Sequence, residues 1–349
     1  MMGMRRAFWA VMAWALMCYA CSDGTPEDGG VSAEKPYVLT LLCSPGGLGD
    51  NGYNDNIFEG VARFVDAHAD EVEFHLRTPS SLDEAQEEYE AWLSLPAEEG
   101  RNSLMVLAGS DFMAFPDGGS PADGRKVLLF ETQRTDYPEG VYTFNLSMYG
   151  VSYWAGSLVG MDGRDLPWAD STLVLAAMPG DPVLEEAIQG YSDGFCDHGG
   201  DFCRVVYLAD GYQGFSMPDS AFRVMSRLGD DGYTMVYPLL GGSADGVYRY
   251  TREVYWTPTI GMDVDCSGVS DGVLFSVVRE MDEAMEAYLE QWLAGEVWPA
   301  RQTFGLSSGW TDIVLAPRLS GSRWQTWLEA CRTEAWAKEE EYYEALSLD

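Results

Sequence analysis

From Tyr37 onward, short apolar runs alternate with stretches whose apolar residues recur at helical spacing, and this alternation constrains the fold more than any other feature. Residues 37–42 (YVLTLL) form a mainly apolar run of strand length. Residues 54–67 place Ile57, Val61, Phe64 and Val65 on one face of a predicted helix. A second strand is predicted at 72–76, an acidic helix at 82–93, and strands at 104–108 and 127–130. Near 142–145 a second series begins. It runs through helix 149–161, strand 172–177, helix 182–195, strand 204–208, helix 218–228, strand 233–238 and strand 259–263. The last helices are predicted at 277–293 and 323–343. Strands without in–out alternation must be covered on both faces, so the expected class is α/β, with parallel sheets between helical layers. Ligands in such sheets bind outside the carboxyl ends of the strands, which singles out the loops after Leu42, Ala108, Ala177, Pro238 and Met262.

The N-terminus carries a separate signal. Arg5 and Arg6 precede an apolar stretch at 7–17, too short to span a bilayer and suited to the core of a signal peptide over 1–20. It ends at Cys18-Tyr19-Ala20-Cys21, with a small residue directly before the second cysteine. This resembles a bacterial lipobox, in which Cys21 is the lipidation site and anchors the protein to a membrane. Bulky Met17 makes Cys18 the poorer candidate. Residues 21–36, rich in Gly, Asp, Glu, Ser and Pro, read as a flexible tether. The roughly 315 residues that follow exceed one comfortable core, so two lobes are expected.

Lys and Arg number 21 against 56 Asp and Glu, a net charge of −35. Such a surface repels nucleic acid and other polyanions and suits a neutral or cationic small ligand. In an oxidising compartment Cys196 and Cys203 are spaced to close a small disulfide loop. The chain has only three histidines, His68, His75 and His198, and no pair has metal-ligand spacing, so no metal or cofactor is expected.

Several loop motifs recur in a definite order. Gly46-Gly47-Leu48-Gly49-Asp50-Asn51-Gly52-Tyr53-Asn54 runs on to Phe58-Glu59-Gly60. Ser152-Tyr153-Trp154-Ala155-Gly156, Ala177-Met178-Pro179-Gly180-Asp181-Pro182-Val183 and Gly190-Tyr191 follow. Then come Pro238-Leu239-Leu240-Gly241-Gly242, Ile260-Gly261-Met262-Asp263-Val264-Asp265, Ser276-Val277-Val278-Arg279 and Gly305-Leu306, the last read as a crossover strand. Taken together the set resembles the basic membrane protein family, the nucleoside-binding lipoproteins of ABC transporters. The resemblance implies a type I periplasmic-binding-protein fold, two Rossmann-like lobes joined by a multi-stranded hinge. The expected division is 37–143 plus 266–302 for the N-terminal lobe and 144–265 plus 303–349 for the C-terminal lobe. It further implies a nucleoside, purine first, captured without chemistry and passed to an ABC permease.

By that resemblance Asp50 reads the base edge, with Asn51 and Tyr53 beside it, and Phe58 stacks on the base. Gly241 and Gly242 allow close backbone approach, and Asp263 or Asp265 with Arg279 holds the ribose. The loop after Ala108 brings Ser110 and Phe112. Nucleoside chemistry suits these types, since bases need aromatic faces and N–H acceptors, and ribose hydroxyls need carboxylates. Structural roles compete for three of them: core packing for Phe58, helix capping for Asp50 and a surface ion pair for Arg279. Three positions depart from the family. Gly49 stands where an Asn or Asp is usual, Arg279 replaces a Lys, and the Leu239-Leu240 loop lacks an aromatic, leaving Phe112, Tyr212 and Phe215 as substitutes.

Two other motifs carry rival chemistry. Gly47-Leu48-Gly49-Asp50-Asn51-Gly52 fits a dinucleotide glycine pattern, but Asp50 would face the pyrophosphate. Gly305-Leu306-Ser307-Ser308-Gly309 fits a nucleophile elbow, yet the histidine of that fold follows its serine, and here the last histidine is His198. A secreted hydrolase is therefore a less favoured reading. A ligand sensor or surface lipoprotein without a transporter is the alternative that keeps the fold, and acidic Asp23, Glu27 and Asp28 just after Cys21 suit a surface-export tether.

Overall fold

A computed structural model describes residues 35–346, apart from positions 46, 51, 97–101, 123, 133, 135, 164–170 and 230. The signal peptide, Cys21, most of the tether and Asn51 lie outside the described residues.

The first series is β1 (Tyr37–Cys43), α1 (Tyr53–Ala67), β2 (Val72–Arg77), α2 (Leu82–Leu93), β3 (Asn102–Ala108), β4 (Arg125–Phe130) and β5 (Val141–Leu146). The second is α3 (Tyr149–Gly163), β6 (Ser171–Ala176), α4 (Pro182–Asp197), β7 (Phe202–Tyr207), α5 (Pro218–Leu228), β8 (Val236–Leu239), α6 (Ala244–Glu253), β9 (Thr259–Asp263) and β10 (Val273–Arg279). The chain ends with α7 (Met281–Leu293), β11 (Arg301–Phe304), β12 (Thr311–Leu315) and α8 (Arg323–Leu346). Two six-stranded sheets result, ordered β11-β5-β4-β3-β1-β2 and β12-β10-β9-β8-β6-β7. Every pairing is parallel except the antiparallel β10–β12 contact. The chain crosses between sheets three times, from β5 to α3, from β10 to α7 and from β11 to β12, which makes the multi-stranded hinge of a type I periplasmic-binding-protein fold.

Burial explains the layers. In the first sheet, Leu39, Leu41, Val106 and Leu128 pack under Ile57, Val61 and Phe64 of α1 and Met285 and Leu289 of α7. The opposite face is covered by Tyr89 and Trp92 of α2 together with Phe112 and Phe115. In the second lobe every residue of α3 from Tyr149 to Gly160 is buried, as its all-round apolar sequence requires. α3 lies against α4 and α8. Among the described residues no helix is long and apolar enough to cross a membrane.

Four local expectations are corrected. Residues 277–279 belong to β10, not to a helix over 277–293. The run VLFSVVR is buried throughout, and a continuous apolar run suits a covered strand as well as a buried helix. β10 also joins the second sheet, while α7 packs on α1, so 266–302 contributes to both lobes. Gly305-Leu306 is not a strand: β11 ends at Phe304, and Leu306–Ser308 forms a 3₁₀ turn. The thiols of Cys196 and Cys203 are free: Cys196 is exposed in the last turn of α4, and Cys203 packs against the core. In addition, α6, short and mostly polar, is a helix that the periodicity did not announce.

Candidate functional site

Loops at the carboxyl ends of both sheets enclose a cavity of about 970 Å³. From the first lobe come Ser44, Leu48, Asp50, Tyr53, Ser110, Asp111 and Glu131, after β1, β3 and β4. From the second come Asp181, Tyr212, Phe215, Gly241, Gly242, Asp263 and Arg279.

The two halves repeat one device. After β1 the chain turns through Gly47 and Gly49, both left-handed (φ 69° and 94°), a conformation that glycine adopts without strain. Asp50 then accepts from the backbone N–H groups of Gly52 (3.0 Å), Asn54 (3.0 Å) and Asp55 (3.3 Å), and from Asn54 Nδ2 (2.9 Å). After β6, Asp181 caps α4 by accepting from Val183 (3.0 Å) and Leu184 (3.1 Å), with Pro182 at the first helical position. Each carboxylate meets the positive end of a helix and satisfies donors that the helix itself cannot. Burial nevertheless pushes both Asp50 and Asp181 above the ordinary carboxylate range, opposed by these hydrogen bonds.

Arg279 is the centre of the second motif. It donates from Nε to Asp263 at 2.8 Å and from Nη1 to Glu131 at 2.8 Å, and lies 5.1 Å from the Tyr53 ring centroid. Arg279, Asp263 and Glu131 are 6 %, 6 % and 4 % exposed, so the triad is dry and its charges depend on one another. Glu131 and Asp263 have φ of 58° and 67° and are the only non-glycine residues with positive φ among the described residues. Such backbone persists where surrounding contacts over-determine it, here the fork of one guanidinium. Burial pushes Glu131 up, with Arg279 opposing, and although burial opposes the charge on Arg279, Asp263 and Glu131 hold it above its ordinary value. Burial also raises Asp111 to about 7, reinforced by Asp181 and opposed by the Ser44 hydroxyl bond at 3.0 Å.

Cross-lobe contacts close the cleft. Ser110 donates to Asp181 at 2.6 Å, Tyr212 Oη donates to the Ser110 carbonyl at 3.2 Å, and Arg279 reaches Glu131. Gly242 comes near Asp50: a Cβ there would lie 3.5 Å from that of Asp50.

Of the residues singled out in the sequence, Asp50, Tyr53, Ser110, Gly241, Gly242, Asp263 and Arg279 meet at this cavity. The other described candidates do not. Phe58 packs against the first-lobe core beside Ile57. Phe112 is wholly buried against Phe115, with ring centroids 5.1 Å apart. Asp265 is exposed and accepts from the Ser267 amide at 2.9 Å. Tyr212 and Phe215, named as substitute aromatics, do line the cavity. Sequence reasoning missed Asp111 and Glu131. Both follow the carboxyl ends of strands, the one local sign that they carry. No histidine, cysteine or lysine is among the described lining residues, which offer acceptors and apolar surface.

No protein-family model matches the chain. Among solved structures it is similar to an ABC transporter system solute-binding protein from Aeropyrum pernix K1, at 16 % identity over 89 % of this chain and 90 % of that one, with a TM-score of 0.64. It is similar to a transcriptional activator of the comK gene from Bacillus halodurans, at 15 % identity over 85 % and 96 %, TM-score 0.61. A third is a carbohydrate transporter solute-binding protein from Agrobacterium radiobacter in complex with D-arabinose, at 12 % identity over 85 % and 99 %, TM-score 0.58. At these identities the likeness is one of fold, and it agrees with the topology: the chain has the type I periplasmic-binding-protein fold.

Proposed function

We propose that the protein is the solute receptor of an ABC uptake system, exported, held at a membrane through lipid on Cys21, and closing its two lobes over a small ligand without chemistry. The observation that supports this most is the cavity at the carboxyl ends of both sheets, bridged by Ser110–Asp181 and Arg279–Glu131. Closure removes water, so each polar contact gains weight. The ligand class best matched is a nucleoside, purine first. Buried carboxylates suit ribose hydroxyls and base N–H groups, and Tyr212 and Phe215 supply aromatic surface. The Agrobacterium protein of this fold is described with a pentose, and ribose presents the same kind of hydroxyl array.

The test is a thermal-shift and calorimetric screen of residues 35–349, a single compact unit, against nucleosides, sugars and amino acids. Ligand at about 100 times its dissociation constant adds roughly 2.7 kcal/mol of stability. A shift with adenosine, guanosine or inosine supports the class. A shift with sugars or amino acids alone removes it, and silence across the panel removes the nucleoside along with both other classes. A sensor without a permease is the second reading, favoured by the similar transcriptional activator. Ligand binding that persists in a strain whose neighbouring genes encode no permease or ATPase would decide for it.

A further inference from the structure

The acidic wall of the cleft carries more negative charge than the protein itself neutralises. Seven carboxylates and a single guanidinium, that of Arg279, are among the described lining residues. Asp50 and Asp181 are engaged by the first amides of α1 and α4. Asp83 and Asp245 lie in the first turns of α2 and α6, where the helix dipole favours an anion. Asp263 and one oxygen of Glu131 grip Arg279. Two acceptors remain. Glu131 Oε1, on a side chain 4 % exposed, is buried without a hydrogen-bond partner. Asp111 has the Ser44 hydroxyl and its own amide as its hydrogen-bond donors. A buried acceptor left unmet costs about 1–3 kcal/mol, and more when it is charged.

Resting on the receptor reading above, we propose that the solute carries a protonated nitrogen, seated in the cleft between Glu131 Oε1 and Asp111. An ammonium offers three donors and the missing positive charge together. A neutral hydroxyl would meet the acceptors but leave the charge unbalanced in a dry site. The cation is organic. No group of three or more His, Cys, Asp or Glu side chains among the described residues is arranged to hold a metal ion. Leu184, Leu239, Leu240 and Met262 supply apolar wall for a carbon body.

The full-length protein is titrated calorimetrically with adenosine and with its analogue bearing a primary amine in place of the terminal ribose hydroxyl, alongside spermidine and agmatine. The expected result is that the amine binds at least about tenfold tighter than adenosine, as close charge pairs do at other interfaces. Spermidine or agmatine binding where adenosine does not supports the proposal equally. Asp111→Asn, which keeps an acceptor for Ser44, should lower amine affinity at least about tenfold. A melting curve of the free variant verifies that it folds, and the matched pair on the unaltered protein needs no variant at all. Adenosine binding as tightly as its amine, with the polyamines silent, overturns the proposal while the receptor reading stands. An unchanged amine affinity in Asp111→Asn overturns the seat. Silence of these probes and of every nucleoside, sugar and amino acid removes both readings together.

Discussion

Arg279 shows how one side chain can carry both the fold and the site. Its guanidinium is held between two acids from different lobes, and both acids have left-handed backbones. Replacing it with Met leaves Glu131 and Asp263 buried without their counter-charge. We expect Arg279→Met to lose about 3–5 kcal/mol in urea unfolding, and Arg279→Lys to lose less because charge survives while the two-pronged geometry does not. Equal losses in the two variants would mean that charge is irrelevant there. Asp111 makes the opposite case. Its folded pKa, raised to about 7 by burial, lies above that of an unfolded aspartate, so the folded state holds the proton more tightly. This group's contribution to stability therefore declines as pH rises from about 4 to about 7, and is level beyond. Asp111→Asn should match the native protein near the acid end of that window and exceed it at pH 7.5 by about 1–3 kcal/mol. A variant less stable than the native protein at pH 7.5 would contradict this sign.

Between elements, α3 and α4 approach each other backbone to backbone. An ideal Cβ on Gly156 would lie 2.1 Å from the Tyr191 carbonyl oxygen, and one on Gly194 would lie 2.0 Å from that of Tyr153. Both partners are backbone, so neither can swing aside. Gly194→Ala should cost about 1–3 kcal/mol despite the better helix propensity of alanine, read as a lower urea midpoint at constant slope. Most elements were legible because their signal is local: Ile57, Val61 and Phe64 recur at helical spacing, and Pro182 follows a capping Asp181. The failures are also local in cause. Val277 and Val278 sit in a run apolar enough for either element, and α6 presents few apolar residues.

For the whole molecule, the question is what holds the lobes together. The Ser110–Asp181 hydrogen bond, 2.6 Å long, spans the cleft and is made only when the lobes meet. Ser110→Ala should weaken ligand affinity about tenfold, through faster dissociation, since a hydrogen bond to a charged group contributes about 1.5–3 kcal/mol. Small-angle scattering of the free variant should show a larger mean size. Unchanged affinity and size would place the closing force elsewhere, in Arg279–Glu131 or in the Tyr212 contact.

What the sequence by itself determined is most of the order of strands and helices, the two-lobed α/β class and the loops that meet at the cleft. Each depends on periodicity, turn residues or strand ends within a short window. Which side chains in those loops are free to meet a solute was decided by tertiary structure alone. Asp50 gives its oxygens to the helix that follows, and Phe58 and Phe112 turn into cores formed by strands far along the chain. Glu131 and Arg279 pair across 148 residues, a juxtaposition created only when two sheets close on each other. Hydrogen-bond satisfaction and charge balance are sums over everything that packs nearby, and no local pattern of residues contains those sums.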